Sequence, residues 1–303
     1  MEERIRRFRI TDKIEYVVPG KSADLLSCSG LIIDSSAKVL IDTNLGETHT
    51  RKLLESERPD FAIISHYHLD HSTWGALVPE HSRAKLLIPS EEEEYLTNHE
   101  YFVLNTAAPY GLDEEWTDFT LNHSKYREIS QYDFYDQSTD LGLSDVKMVF
   151  IGTPGHSSGH TSINFPEQKI VFTGDLGLDR FGPWYGWPDC DLEMYVESLL
   201  RMKSLNPVLL LTSHEGIIRD NIEETFDLCL HAFFLREDMI KKKLDDGLSR
   251  EDIIEQGIYF RNKEKVNEPM KTILGMWDSY MFDHHLKKLG EGGLRKDFPG
   301  LGF

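Results

Sequence analysis

Ser65-His66-Tyr67-His68-Leu69-Asp70-His71 sets three imidazoles and a carboxylate within six residues. The segment directly follows Asp60-Phe-Ala-Ile-Ile, an apolar run that suits a strand buried on both faces. At a strand end alternate side chains point the same way, so His66 and His68 can grip one ion. The turn beyond redirects Asp70 and His71 toward a second. Neutral imidazole and carboxylate are ligands for zinc first, with iron or manganese as alternatives. The bland alternative, a loop of surface histidines, does not account for this spacing.

Three later segments have the same form, a strand ending in a turn that carries a candidate ligand. Thr153-Pro-Gly-His156-Ser-Ser-Gly-His160 follows the strand expected over 146–152. Thr173-Gly-Asp175 follows that over 169–173, and Thr212-Ser-His214-Glu-Gly that over 208–212. Singly each is weak, because a lone His or Asp at a strand end is more often structural. Four in one chain point to a single site.

HxHxDH, TPGHxxGH, TGD and SHEG, in this order, resemble the successive metal motifs of the metallo-β-lactamase superfamily, with a glyoxalase II-like flavour, over about residues 13–218. The resemblance implies an α/β fold, an αββα sandwich with the metals at one edge between the sheets. It implies that His66, His68 and His156 hold one metal and Asp70, His71 and His214 a second, with Asp175 bridging. Asp70 would also orient the attacking hydroxide. His160 is not a ligand in that pattern and is expected to support the site from behind, while Gly155 and Gly159 let the backbone turn tightly beside it.

Outward from these motifs, strands are expected at Ile14–Val18, Gly30–Ile33 and Lys38–Asp42, with a helix over 48–57. A further strand is expected over 83–89. The stretch 90–145 reads as an insertion, a helix followed by irregular structure. Leu192, Tyr195, Val196, Leu199 and Leu200 recur at helical spacing behind two candidate caps, Asp189 and Asp191. Helices are expected over 221–246, over 249–257 (opened by the capping-box pattern Ser249-Arg-Glu-Asp) and over 269–289. The division is therefore a core, 1–218, and a helical C-terminal portion, 219–303, covering the active site.

The loop Leu178–Asp189 starts beside the metal motifs and carries Phe181, Trp184, Tyr185 and Trp187. It is read either as an aromatic wall for a substrate or as a hydrophobic cluster that pins the loop. His49, His81, His99, His123 and His231 have no motif context. One of His284 and His285 could reach the pocket.

Composition narrows the partners. A net charge of −19 in 303 residues disfavours nucleic acid, which needs a basic stripe to displace counterions. Cys28, Cys190 and Cys229 form no CxxC and suit a reducing compartment. With no secretory signal or spanning run in view, a cytoplasmic location is expected. The expected partner is a small molecule, with no membrane association and a homodimer as the assembly considered.

The expected function is hydrolysis of a thioester, ester or lactone by a hydroxide bridging two divalent metals, most simply zinc. The glutathione-binding cations of glyoxalase II have only loose counterparts in Arg295 and Lys296, which puts glutathione specificity in doubt. The alternatives are phosphodiester or RNA hydrolysis, and persulfide oxidation at a single iron.

Overall fold

A computed structural model describes residues 5–20, 26–214 and 216–303. Twelve strands among these residues form two sheets. The first runs in spatial order β1 (Arg6–Arg9), β2 (Ile14–Val18), β3 (Gly30–Asp34), β4 (Lys38–Ile41), β5 (Phe61–Ile63), β6 (Lys85–Pro89), β7 (Asp133–Tyr135). The second runs β12 (Ile217–Ile218), β11 (Leu209–Thr212), β10 (Ile170–Gly174), β9 (Thr161–Phe165), β8 (Val149–Gly152).

The period-2 pattern of the strands builds the layers. Leu31, Ile33, Val39 and Ile41 of the first sheet face Ile163, Phe165, Ile170 and Phe172 of the second in one buried cluster. Their neighbours Ile32, Leu40 and Val171 point the opposite way, into a second cluster filled from helices. Strands apolar on both faces are thereby sandwiched between helical layers, which gives the four-layer αββα arrangement.

The helix Glu47–Glu57 covers the first sheet through Leu53 and Leu54, and Leu192–Ser204 packs Tyr195, Val196, Leu199 and Met202 into the same cluster. Asp191 caps the latter helix by accepting from the Met194 N–H. Asp189 does not cap it. It turns inward and accepts from the Tyr67 hydroxyl at 2.8 Å and the Ser158 N–H at 2.9 Å.

The helices Ile222–Asp245, Arg250–Gln256 and Met270–Glu291 stand where the sequence places them, and Ser249 and Asp252 form the expected capping box. Phe226, Leu230 and Phe233 join the cluster that holds Tyr195 and Leu199, so the C-terminal helices share the core's interior. The stretch 90–145 departs from one helix plus irregular chain. It contains a series of short helical segments, among them His99–Leu104 and Asp113–Asp118, and then β7. Segments of three to six residues are too short to show helical periodicity, and β7 leaves Phe134 half exposed.

Among the described residues no helix is long and apolar enough to cross a membrane.

Candidate metal centre and its aromatic cavity

Each metal-type motif emerges from the C-terminal end of a strand. His66 and His68 follow β5, His156 follows β8, Asp175 follows β10 and His214 follows β11. The two sheets are packed face to face, so these turns meet at one edge. His66 Nε2 lies 3.1 Å from His68 Nδ1 and 3.3 Å from His156 Nε2. His214 Nε2 lies 3.0 Å from Asp70 Oδ2 and 3.1 Å from Asp175 Oδ2, while His71 Nε2 lies 3.2 Å from Asp175 Oδ1. Asp175 Oδ2 reaches to 3.7 Å from His156 Nε2, which links the two groups. All seven sequence-predicted ligand positions are therefore brought together, as His66, His68, His156 and as Asp70, His71, Asp175, His214.

The chemistry of the donors fits cations. His71 Nε2 and Asp175 Oδ1 are buried and make no hydrogen bond among the described residues, although they face each other. A close pair of orphaned polar atoms is costly unless something charged sits between them. Burial lowers the basicity of His66 and His68, and neighbouring imidazoles lower it further, so both are neutral and ready to donate a lone pair. Burial would also lower His214, but Asp175 and Asp70 overcome it and hold its pKa well above the ordinary value. Burial works against ionisation of Asp175, yet His214 and His71 keep it far below the usual carboxylate range. Protons on these imidazoles thus balance the carboxylates, a role that divalent cations would take over on binding.

The remaining ring nitrogens are held from behind. His156 Nδ1 bonds the Trp184 carbonyl oxygen at 2.9 Å, His66 Nδ1 meets the Ser65 hydroxyl at 3.0 Å, and His71 Nδ1 meets Asp42 Oδ2 at 3.0 Å. Such partners fix the tautomer and aim the free nitrogen at the site. His160 occupies a comparable supporting position. Its Nε2 accepts from the Asp175 N–H at 3.0 Å, and its Nδ1 lies 2.8 Å from the Thr153 hydroxyl. Burial pushes His160 down to about 3, so it stays neutral and can accept.

Two glycines let the turns close. Gly155 has φ +125°, and a Cβ there would meet Tyr195 backbone at 2.3 Å. Gly174 has φ +56°, and a Cβ would meet His160 Nε2 at 2.6 Å.

The cluster forms the floor of a cavity of about 340 Å³. Phe181, Trp184 and Trp187, on the loop after Asp175, line it. Tyr185 does not. It is fully buried, stacks on Phe233 and bonds His285 Nε2 through its hydroxyl at 2.8 Å. His285 is buried in this contact and His284 bonds the Trp187 carbonyl oxygen, so neither histidine lines the cavity. The loop therefore both walls the cavity, through Phe181, Trp184 and Trp187, and pins itself, through Tyr185.

Other walls were not legible as such. Phe102, Trp116 and Phe119 come from the 90–145 stretch, and Tyr259, Phe260 and Trp277 from the C-terminal helical portion. Asp42 was also missed, although it follows β4 as His66 and Asp175 follow their own strands. A further overlooked residue, Glu92, is completely buried. It accepts from the Tyr67 N–H at 2.6 Å, the Gly159 N–H at 2.8 Å and the Ser157 hydroxyl, tying together the loops that carry His66, His68 and His156.

The sequence model of the Metallo-beta-lactamase superfamily matches residues 24–214. The Metallo-beta-lactamase fold-containing protein ST1585 of Sulfurisphaera tokodaii is 28% identical over 184 residues, 55% of this chain and 65% of that one. Human Acyl-coenzyme A thioesterase MBLAC2 is 23% identical, over 63% of this chain and 67% of its own length. The Hydroxyacylglutathione hydrolase of Mesorhizobium japonicum is 23% identical over 48% and 44% respectively. The matches thus span between 44% and 67% of the length of these curated relatives. Among solved structures, the metallo-beta-lactamase family protein TTHA1429 of Thermus thermophilus superposes with a TM-score of 0.70 at 18% identity, over 94% of this chain and 95% of that one. A beta-lactamase domain protein from Burkholderia ambifaria gives 0.74 at 15% identity, over 95% and 89%.

Proposed function

Since this chain belongs to the metallo-β-lactamase superfamily, we propose that it is a metal-dependent hydrolase with a dinuclear centre, acting on a thioester, ester or lactone. The observation that carries this is the meeting of seven imidazole and carboxylate side chains from separate strand ends in two adjoining groups, five of which, His68, Asp70, His156, Asp175 and His214, line the floor of one cavity. His66, His68 and His156 would hold one cation and Asp70, His71 and His214 a second, with Asp175 between the two groups. Zinc suits the donor set first, with iron and manganese as alternatives. Divalent cations bound there supply Lewis acidity, polarising a carbonyl oxygen and lowering the pKa of water toward ~7.

The chain's own groups do the rest. Asp70 lines the cavity, and its Oδ2 beside His214 is placed to orient the attacking water and accept its proton. The Asp42 carboxylate keeps the proton of His71 on Nδ1, leaving Nε2 for coordination. Trp184 covers His68 edge-on, with ring centroids 5.3 Å apart, and keeps bulk water from that side. The names of two relatives, an acyl-coenzyme A thioesterase and a hydroxyacylglutathione hydrolase, favour acyl substrates. Phosphodiester hydrolysis has less support, because no lysine or arginine lines the cavity among the described residues. We propose a small-molecule partner on the same ground.

Elemental analysis and hydrolysis assays on His68→Ala and Asp175→Ala test the proposal together. Metal content should fall in both, and kcat/KM on any cleaved ester or thioester should drop on the order of 10³-fold or more, about 4 kcal/mol of lost charge stabilisation. Full activity in a metal-free variant would refute it.

A further inference from the structure

Tyr259 and Phe260 wall the cavity from a connection, residues 257–262, that is neither helix nor strand. No helical or ladder hydrogen bond therefore holds them. Their backbone N–H groups instead donate to one atom, Oδ1 of Asp278, at 2.9 and 3.3 Å. Asp278 stands on the helix Met270–Glu291 beside Trp277, another wall residue, and is 0% exposed. Its second oxygen pairs with the Lys263 ammonium, which also donates to the Ile254 carbonyl oxygen at 2.6 Å.

The two rings of this wall are held as well. Phe260 packs on Trp277 with ring centroids 5.6 Å apart. The Arg236 guanidinium lies 5.0 Å from the centre of the Tyr259 ring and 5.3 Å from that of Tyr185, and it donates to the Pro183 carbonyl oxygen. The C-terminal wall is thereby set against the loop that carries Trp184 and Trp187.

Burying a carboxylate and an ammonium is costly, and apolar residues of similar volume often replace such a pair without loss of stability. Stability alone thus gives no reason for an acid at position 278. Two adjacent N–H groups that would otherwise lack an acceptor do give one, because the acceptor fixes the backbone from which both wall rings project.

Resting on the hydrolase assignment above, we propose that Asp278 is a positioning residue for substrate selection: it holds the Tyr259–Phe260 wall in place, and that wall receives the apolar body of the substrate. Asp278 lies outside both the metal-type cluster and the cavity lining. Its influence belongs in KM for bulky substrates and spares metal binding and kcat.

The test uses the full chain, loaded with metal, and two thioesters with the same small leaving group, S-ethyl thioacetate and S-ethyl thiooctanoate. Two double variants differ only in the acceptor. Asp278→Asn/Lys263→Met removes both charges and keeps a side-chain oxygen at 278, whereas Asp278→Leu/Lys263→Met removes the oxygen too. The Asp278→Leu pair should raise KM for thiooctanoate about tenfold, and the Asp278→Asn pair should stay within about threefold of the natural chain. Metal content, kcat and KM for thioacetate should hold in both. Phe260→Ala, which leaves Asp278 in place, should raise the thiooctanoate KM by a comparable factor.

Equal KM in the two double variants, metal loss in the Asp278→Leu pair, or an unchanged KM in Phe260→Ala overturns the proposal. Should the Asp278→Leu pair fail to fold, hydrogen exchange at the Tyr259 and Phe260 amides decides. Protection in the natural chain and in the Asp278→Asn pair supports the proposal, and exchange at the rate of an open loop overturns it. A binding measurement separates its failure from that of the hydrolase assignment. Quenching of tryptophan fluorescence by 2-undecanone, with about tenfold weaker affinity in Phe260→Ala and in the Asp278→Leu pair, supports the wall even if no thioester is cleaved. Equal affinity in all of these proteins sinks it even if every thioester is cleaved.

Discussion

The metal-type cluster and the aromatic cavity above it share a boundary at His68, Asp70, His156, Asp175 and His214, yet they are built on opposite principles. The cluster is placed by backbone. Its residues follow strands whose positions are fixed by ladder hydrogen bonds and by a sheet-to-sheet core, and supporting side chains lock their rings. The cavity is placed by packing. Its walls come from short helical segments, one loop and the C-terminal portion, held by contacts among aromatic rings. Changes to the supports of the cluster should therefore alter metal binding and fold stability, whereas changes to the walls should alter which substrate is preferred.

The largest expected effect comes from Glu92, which joins the two ligand-bearing loops. Glu92→Ala leaves three donors, the Tyr67 and Gly159 N–H groups and the Ser157 hydroxyl, without their acceptor in a dry site. Each costs about 1–3 kcal/mol, so a loss of several kcal/mol is expected in denaturant titration. The residue also gives a pH signature. Burial pushes its pKa up to about 8, against the donors of Ser157, Gly159 and Tyr67. A carboxyl whose folded pKa lies above its unfolded value of 4.5 contributes stability that is complete below about 4.5 and is lost as pH rises through about 8. The stability difference between the natural chain and Glu92→Gln should accordingly shift against the natural chain between pH 5 and 8. A pH-independent difference would show that this carboxyl titrates as it does in the unfolded chain.

A smaller effect is expected at Asp42, on the metals and, through the buried Ser65 N–H that loses its acceptor at 2.8 Å, on stability by about 1–3 kcal/mol. Asp42→Ala removes the carboxylate behind His71 and should weaken metal binding about 10–100-fold in competition with a chelator. The cavity walls are untouched, so the ranking of acyl groups among metal-loaded samples should stay as it was. A changed ranking at full metal loading would break the division between the two regions.

The same division explains what could be seen in the sequence. The ligands were legible because each follows a short apolar run, and HxHxDH concentrates four of them in one place. The double-faced apolar strands and the long C-terminal helices were legible from periodicity for the same reason. Asp42 carried the signal too, at the end of Lys38-Val-Leu-Ile, but a single acid beside a strand says nothing until its partner His71 is seen. Glu92 was hidden in an acidic run, Glu91–Glu94, where Glu92 faces inward at 0% exposure. Phe102, Trp116 and Trp277 could not be assigned to the cavity at all. An aromatic residue in a helix looks the same whether it fills a core or walls a pocket, and only the path of the chain decides between them.

Tyr185 is the finest case, because it stands in the cavity's own loop between two wall residues, Trp184 and Trp187, and faces away. Its hydroxyl and His285 form a buried pair, and its ring stacks on Phe233 with centroids 5.2 Å apart. Tyr185→Phe keeps the stack and removes one hydrogen bond, which predicts a loss of about 1 kcal/mol in stability. Since the residue faces the helix Ile222–Asp245 rather than the cavity, kcat/KM and the order of preferred acyl groups should not move. A shift in substrate preference without a change in stability would return Tyr185 to the cavity wall. It would also show that the loop moves as a unit with the pocket, and that packing and recognition are not separable there.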